Sequence, residues 1–160
     1  DPKHPDAALA AARALQPDDL ENPELTSDRA AVAASKVAAM ESVRAVLLGF
    51  QQGFAADPPD GAPGAVLDGR DIGTVVCPEA PSKLFVTADV EERAKRRHKE
   101  LLDKGGASIY SRVLQALKDR DARDSNRSAS PLVAAPDAIV IDTTTMDPDE
   151  AFASALDSIR

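Results

Sequence analysis

Helical periodicity dominates the first third of this 160-residue chain. Apolar residues recur every three to four positions over about 6–16 and 28–55, which predicts helices in both stretches. The apolar phase resets near residues 40–42, so we expect the second stretch to form two helices or one bent helix. Residues 56–64 contain three prolines and two glycines, a composition typical of a loop.

Three short apolar runs follow this loop, at 65–67, 84–86 and 138–141. Each run is too short for a helix and is bounded by polar or turn residues, as is typical of strands buried on both faces of a parallel sheet. Helices are predicted between and after the strands, at about 89–104, 108–123 and 148–159. Asp147 before Pro148 is a favourable start for the last helix. The alternation predicts an α/β fold with a parallel sheet flanked by helices.

Composition and charge narrow the class of protein. With 43% apolar but only 3% aromatic residues, the core must consist mainly of small aliphatic side chains. A net charge of −8 argues against a nucleic-acid partner. No apolar run is long enough to span a membrane and no signal-peptide pattern opens the chain, so we expect no membrane partner and a cytoplasmic protein. The basic residues concentrated between 91 and 127 suit a small anionic ligand.

The stretch DGRD at 68–71 places two carboxylates around one guanidinium, directly after a predicted strand. Ligands of open parallel sheets bind beyond the carboxyl ends of the strands. One interpretation therefore places Asp68 near Mg²⁺ or its waters, Arg70 on a phosphoryl group and Asp71 on a nucleotide base. The other interpretation is an Asx-turn with a surface ion pair.

The stretch RDARDSNR at 120–127 carries a second set of charges. Arg120, Asp124 and Arg127 are spaced i, i+4 and i+7 and line one stripe if the helix continues. They form either a solvated face with ion pairs inside the helix, or a site where two arginines hold phosphate oxygens. In the second case the aspartate orients the arginines or accepts sugar hydroxyls.

The stretch ERAKRRHKE at 92–100 has five lysines or arginines in a predicted helix. It is either a solvated helix, with Glu92 and Arg96 paired at i, i+4, or a mobile clamp over a polyphosphate. The clamp would use Arg93, Arg96 and Arg97.

Together these stretches resemble the bacterial cytidylate kinases, a family of P-loop nucleoside-monophosphate kinases. The matching stretches run in the family's order and cover about residues 27–160. They are AASKVAA (33–39), VRAVLL (43–48), LDGRDIGTVVCPEAPSKLFVTA (67–88), ERAKRRHKEL (92–101), KDRDARDSNRSASPL (118–132) and AIVIDTTTMD (138–147). The resemblance implies the family's fold, a P-loop NMP-kinase-like parallel sheet flanked by helices. It also implies that 1–64 belong to the CMP-binding helices and a connecting helix, and 65–160 to the α/β core.

The resemblance further implies roles for individual residues. The cytosine ring would be hydrogen-bonded by Ser35, Arg44 and Asp71. The ribose hydroxyls would be held by Arg120 and Asp124, and the CMP phosphate by Arg70 and Arg127. A lid at about 92–110 would close over ATP through Arg93, Arg96 and Arg97. Charge on the transferred group would be stabilised by Arg70, Arg97 and Arg127.

The implied activity is transfer of the ATP γ-phosphoryl group to CMP or dCMP, a reaction of pyrimidine nucleotide metabolism. A CMP phosphate oxygen attacks in line, and positioning and charge neutralisation supply the catalysis. The implied cofactor is Mg²⁺, bound with ATP; no direct protein ligand is expected, and Asp68 would act only through water. The partners would be the nucleotides alone, and we expect a monomer.

One feature departs from the family. No G-x-x-x-x-G-K-[ST] pattern occurs within the 160 residues, so we expect a strand and a P-loop upstream of Asp1 in an intact chain. The alternative is a non-catalytic fragment of such a kinase that binds CMP but binds ATP poorly. A third hypothesis is a helical interaction protein whose charged motifs are only solvated faces.

Overall fold

A computed structural model describes residues 4–37, 40–125 and 132–159 of the protein. The chain divides into two compact units, Asp1–Leu67 and Asp68–Arg160. Helices alone make up the regular structure described in the first unit, while the second unit contains a parallel sheet and three α-helices.

The first unit has three α-helices: α1 (Pro5–Ala14), α2 (Asp28–Val37) and α3 (Glu41–Ala56). Short 3-10 turns lie between and after them, at Pro17–Glu21, Pro23–Thr26 and Pro59–Gly61. The predicted break near residues 40–42 is confirmed, because Met40 takes an extended conformation between α2 and α3. Helix α1 packs against α3, and Ala8 and Val43 are buried. Small aliphatic side chains therefore form this core, as the composition predicted.

The second unit is built around two parallel strands, β1 (Leu84–Thr87) and β2 (Ile139–Asp142). Their register pairs Leu84 with Ile139 and Thr87 with Asp142. The α-helices of this unit are α4 (Val90–Asp103), α5 (Tyr110–Ser125) and α6 (Pro148–Ser158). Helix α4 packs on α5, and α6 packs on β2.

Helix starts in the second unit follow the capping signals in the sequence. The Asp147 carboxylate accepts a hydrogen bond from the Glu150 backbone N–H, and the Glu150 carboxylate accepts one from the Asp147 N–H. This reciprocal pair, with Pro148 as the first helical residue, confirms the predicted start of α6. Asp89 caps α4 in a similar way by accepting from the backbone of Glu91.

The third predicted strand, at 65–67, does not form, and the prediction was wrong. These residues are irregular, and the side chain of Val66 is almost fully exposed, at 98%. A β-strand requires backbone hydrogen bonds to a neighbouring strand. In the described part of the chain the sheet consists of β1 and β2, so residues 65–67 have no strand to pair with there. The expectation of strands buried on both faces was also wrong, since Val86 and Val140 are both exposed. Burial of both faces requires helices over both faces of a parallel sheet, and the exposed side chains of Val86 and Val140 are not covered in this way.

A π-helical turn, Ile72–Val76, directly follows the DGRD segment at 68–71. The Asp71 carbonyl accepts hydrogen bonds from the backbone N–H groups of Thr74, Val75 and Val76, and the Cys77 N–H donates to the Ile72 carbonyl at 2.7 Å. Such turns are rare and are found frequently at functional sites. Asp68 and Arg70 therefore precede a helical turn instead of following a paired strand.

Candidate functional site

Two charged motifs from distant parts of the sequence meet in the second unit. The Asp124 side chain is 6% exposed, and its Oδ2 lies 2.7 Å from Arg70 Nη1. The same oxygen lies 3.7 Å from Arg120 Nε. We call Arg70, Arg120 and Asp124 the Asp124 cluster.

Helix α5 and the segment before the π-helical turn position this cluster. Arg120 and Asp124 are one helical turn apart, so the ion pair predicted from their i, i+4 spacing is confirmed. Arg70 reaches Asp124 from the DGRD segment, so the two charged motifs meet at this carboxylate. The third arginine of the predicted stripe, Arg127, lies outside the described residues.

The arrangement orients guanidinium groups around a buried carboxylate. The Arg70 side chain is 30% exposed and that of Arg120 is 51% exposed, so both can still reach a ligand from solvent. Guanidinium groups bind phosphate oxygens in a fixed fork geometry, and a carboxylate accepts hydrogen bonds at several lone pairs. The cluster can therefore bind an anion while its carboxylate accepts hydroxyl groups.

The remaining acidic residues of the DGRD segment lie beside the cluster in sequence. Asp71 is half-buried and immediately precedes the π-helical turn, whose backbone hydrogen bonds fix its carbonyl. Asp68 is exposed. Gly69 is constrained sterically, because a Cβ there would come within 2.9 Å of the Ile72 side chain.

Arg93 in α4 makes contacts that the sequence did not predict. Arg93 donates from Nε to the Ala88 carbonyl at 2.9 Å and binds both carboxylate oxygens of Asp121, at 3.2 and 2.7 Å. Helix α4 is thereby joined to α5 and to the segment after β1.

Arg96 is bound to the segment that follows β2. It donates from Nη2 to three backbone carbonyls, the nearest being that of Thr143 at 2.6 Å. Its pairing with Glu92, predicted from the i, i+4 spacing, is present at 3.4 Å. Arg97 lies 2.8 Å from Glu100. Hydrogen bonds from Lys104 and Arg97 hold the pKa of Glu100 below its ordinary value.

The two predicted base-binding residues of the first unit lie on its helices. Ser35 belongs to α2, and Arg44 lies in the first turn of α3, where its backbone N–H donates to the Met40 carbonyl. Their contact with cytosine stays a prediction.

An open groove of about 370 Å³ also lies in the first unit. Its lining is mostly apolar and consists of Gly49, Phe50, Gly53, Phe54, Asp57 and Pro59. Since no Lys or Arg belongs to this lining, the groove lacks the cations that a phosphate requires.

Sequence reasoning missed Lys83, just before β1. Its buried ammonium group donates to the Pro78 carbonyl and, at 2.6 Å, to the Asp137 carboxylate. It connects the segment after the π-helical turn to the segment before β2. The hydrogen bond from Lys83 holds the pKa of Asp137 below its ordinary value. A single lysine before an apolar run carries no signal of this role.

Within residues 4–37, 40–125 and 132–159, no group of three or more His, Cys, Asp or Glu side chains is arranged to hold a metal ion. Over the same ranges, every helix is too short or too polar to cross a membrane.

These features define an α/β protein in which guanidinium groups converge on a buried carboxylate. The family model described as cytidylate kinase matches residues 3–160, so the chain belongs to the cytidylate kinase family and shares its P-loop NMP-kinase fold. The resemblance inferred from the sequence is confirmed.

Individual relatives agree with the family assignment. A cytidylate kinase of Paramagnetospirillum magneticum is 62% identical over 153 residues, covering 94% of this chain and 72% of that protein. A cytidylate kinase of Rhodospirillum rubrum is 55% identical, covering 98% of this chain and 74% of that protein. One from Cereibacter sphaeroides is 52% identical, covering 95% of this chain and 72% of that protein.

Proposed function

We propose that the protein is a kinase that transfers the γ-phosphoryl group of ATP to CMP or dCMP. The observation that carries the proposal is the Asp124 cluster, in which the two motifs that resemble the family's CMP-binding residues meet at one carboxylate. Family membership and relatives named cytidylate kinase support the same activity.

The proposed roles within the second unit follow from side-chain chemistry. Arg70 binds the CMP phosphate with its guanidinium fork, and Arg120 and Asp124 bind the ribose hydroxyls. The Asp124 carboxylate lies 2.7 Å from Arg70, and a carboxylate is a hydrogen-bond acceptor for a hydroxyl donor. Asp71 accepts a hydrogen bond from the cytosine amino group, a pairing that a carboxylate makes well.

The remaining roles rest on the resemblance to the cytidylate kinase family. Ser35 and Arg44 contribute to binding the cytosine ring, and Arg127 contributes to binding the phosphate. Arg97, together with Arg70 and Arg127, stabilises the charge that develops on the transferred group.

Mg²⁺ fits this scheme as an ion that arrives with ATP. Proteins usually hold Mg²⁺ through one or two carboxylates together with substrate phosphates, so a cluster of protein ligands is not required. Asp68 is exposed and lies two residues before Arg70 in the DGRD segment, and it would act through a water molecule. When bound, the ion neutralises phosphate charge during transfer.

A coupled assay with ATP and each of CMP, dCMP, UMP, AMP and GMP tests the proposal. We expect CMP and dCMP to be phosphorylated in preference to UMP. Isothermal titration with CMP, without ATP, measures binding separately. CMP binding without turnover would favour the non-catalytic alternative, and absence of CMP binding would overturn the proposal.

The base-reading role of Asp71 has its own test. Asp71→Asn should bind CMP more weakly and lose discrimination between CMP and UMP, because the amide can donate to uracil as well as accept from cytosine. An exposed residue distant in sequence, changed in Lys95→Met, is the matched control. Unchanged CMP affinity in Asp71→Asn would contradict the role.

A further inference from the structure

We propose that Arg93 is a positioning residue for the nucleotide-binding face of α5, and that it acts through Asp121. This inference rests on the proposed CMP-binding role of Arg120 and Asp124. It replaces the expectation, drawn from the resemblance, that Arg93 contacts ATP from a lid.

The contacts of Arg93 fix its guanidinium in three directions. Two N–H groups bind the two oxygens of Asp121 side by side, and the Nε–H binds the Ala88 carbonyl. A planar fork on a carboxylate sets the orientation of both groups, which a single hydrogen bond does not. Arg93 therefore holds α5 in a defined orientation relative to α4 and the segment after β1.

Asp121 transmits this orientation to the Asp124 cluster. It follows Arg120 directly and lies three residues before Asp124, so Asp121 and Asp124 are neighbours on one side of α5. Rotation of α5 about its axis would move both carboxylates together. The bidentate pair of Arg93 with Asp121 and the 2.7 Å contact between Arg70 and Asp124 therefore both restrain rotation of α5 about its axis.

Arg96 also fixes the first turns of α4. It binds the carbonyls of Thr143, Thr144 and Met146, in the segment after β2. The first half of α4 is thus attached to the segments that follow both strands. For Arg93 to contact ATP from a closing lid, it would have to leave Asp121. That movement would break the bidentate pair with Asp121 and the hydrogen bond to the Ala88 carbonyl at the same time.

The two roles make opposite predictions for CMP binding without ATP. Substitution of a residue that only contacts ATP should leave the CMP affinity unchanged in that experiment, whereas substitution of a residue that positions Asp124 should lower it. Isothermal titration of CMP into Arg93→Lys and Asp121→Asn should each give about tenfold weaker affinity, since small misplacements of binding groups are costly. Arg93→Lys keeps the charge and loses the fork. The double variant should be no weaker than either single variant.

Steady-state kinetics supply a readout that general loss of structure would not give. The KM for CMP should rise in both variants while the KM for ATP stays within about twofold of that of the unaltered protein. The exchange of charges in Arg93→Asp with Asp121→Arg should recover part of the CMP affinity that Arg93→Asp alone loses. Lys95→Met is the control on the same helix, because Lys95 is 65% exposed and pairs with Glu92 at 3.3 Å.

The outcomes separate this inference from the proposed function. If the unaltered protein does not bind CMP, the proposed function fails and this inference with it. If the unaltered protein binds CMP and both variants, folded by circular dichroism, bind it equally well, the inference alone is overturned. A raised KM for ATP with unchanged CMP affinity would likewise overturn it and restore the lid role.

Discussion

The pair formed by Arg70 and Asp124 should respond differently to removal of each partner. Arg70→Met removes a guanidinium group that lies 2.7 Å from the Asp124 carboxylate, which is 6% exposed. Asp124→Asn leaves Arg70, whose side chain is 30% exposed and can be hydrated. An asparagine also keeps one oxygen as an acceptor. Since an uncompensated charge is costly mainly when it is buried, we expect Arg70→Met to be the more destabilising change.

The magnitudes follow from burial. Breaking a fully buried ion pair costs about 3–5 kcal/mol, and an exposed pair contributes about 0.2–1 kcal/mol. Arg120 remains 3.7 Å from Asp124, which lowers the cost of removing Arg70. We therefore expect Arg70→Met to lower the free energy of unfolding by about 2 kcal/mol, and Asp124→Asn by about 1 kcal/mol.

Urea unfolding at pH 7 of the unaltered protein, both single variants and the double variant measures these losses and their coupling. A coupling of about 1 kcal/mol is expected for side chains in direct contact. Lys104→Met is the control, because Lys104 and its partner Glu100 are both exposed, and its effect should stay within about 0.5 kcal/mol. A greater loss for Asp124→Asn than for Arg70→Met would refute the argument that burial of the remaining charge decides the cost.

Three further predictions concern the surroundings of the cluster. Lys83→Met keeps the aliphatic stem but loses hydrogen bonds to a carbonyl after the π-helical turn and to a carboxylate before β2, and urea unfolding should show a loss of about 1–2 kcal/mol. Gly69→Ala should cost about 1 kcal/mol in the same assay because its Cβ would crowd Ile72, and adding Ile72→Ala should make the alanine at 69 nearly neutral. The hydroxyl and N–H of Thr144 lower the pKa of Asp142, so this contribution to stability is present above the ordinary value of 3.8 and is lost as pH falls through the lowered pKa. Thr144→Ala should therefore show a smaller loss of unfolding free energy between pH 5 and about pH 2 than the unaltered protein, and an equal loss would contradict the linkage.

Most helices could be predicted from the sequence because their signals are local. The helix expected at about 89–104 is found at Val90–Asp103, and the one expected at about 148–159 is found at Pro148–Ser158. In both cases an aspartate directly before the helix accepts a backbone hydrogen bond from its first turn. Such caps depend on residues a few positions apart, so spacing in the sequence is sufficient to find them.

The strand at 65–67 and the π-helical turn could not be predicted in the same way. An apolar run becomes a strand only if another segment pairs with it, and that partner is not encoded in the run. The π-helical turn depends on one carbonyl, that of Asp71, accepting from three successive N–H groups. The residues IGTVV within it have a β-branched composition that favours a strand, so propensity alone predicts the wrong conformation here.

Only the local contacts of the candidate site could be predicted from the sequence. The ion pair of Arg120 with Asp124 is a property of helical spacing, and the sequence alone predicted it as one of two interpretations. The family resemblance placed Arg70 and Asp124 on different parts of one nucleotide, but no prediction paired these two residues, whose motifs are distant in the chain. Neither route identified Asp121.

Asp121 illustrates what a motif leaves undetermined. The stretch RDARD at 120–124 contains two aspartates, and the sequence does not show which neighbouring residue each carboxylate contacts. In the structure Asp124 pairs with Arg70, while Asp121 receives the guanidinium fork of Arg93 from the neighbouring helix. One short stretch therefore carries both the candidate ligand-binding carboxylate and the group that orients it. Substitutions at the two aspartates should consequently both weaken CMP binding, directly at Asp124 and through the orientation of α5 at Asp121.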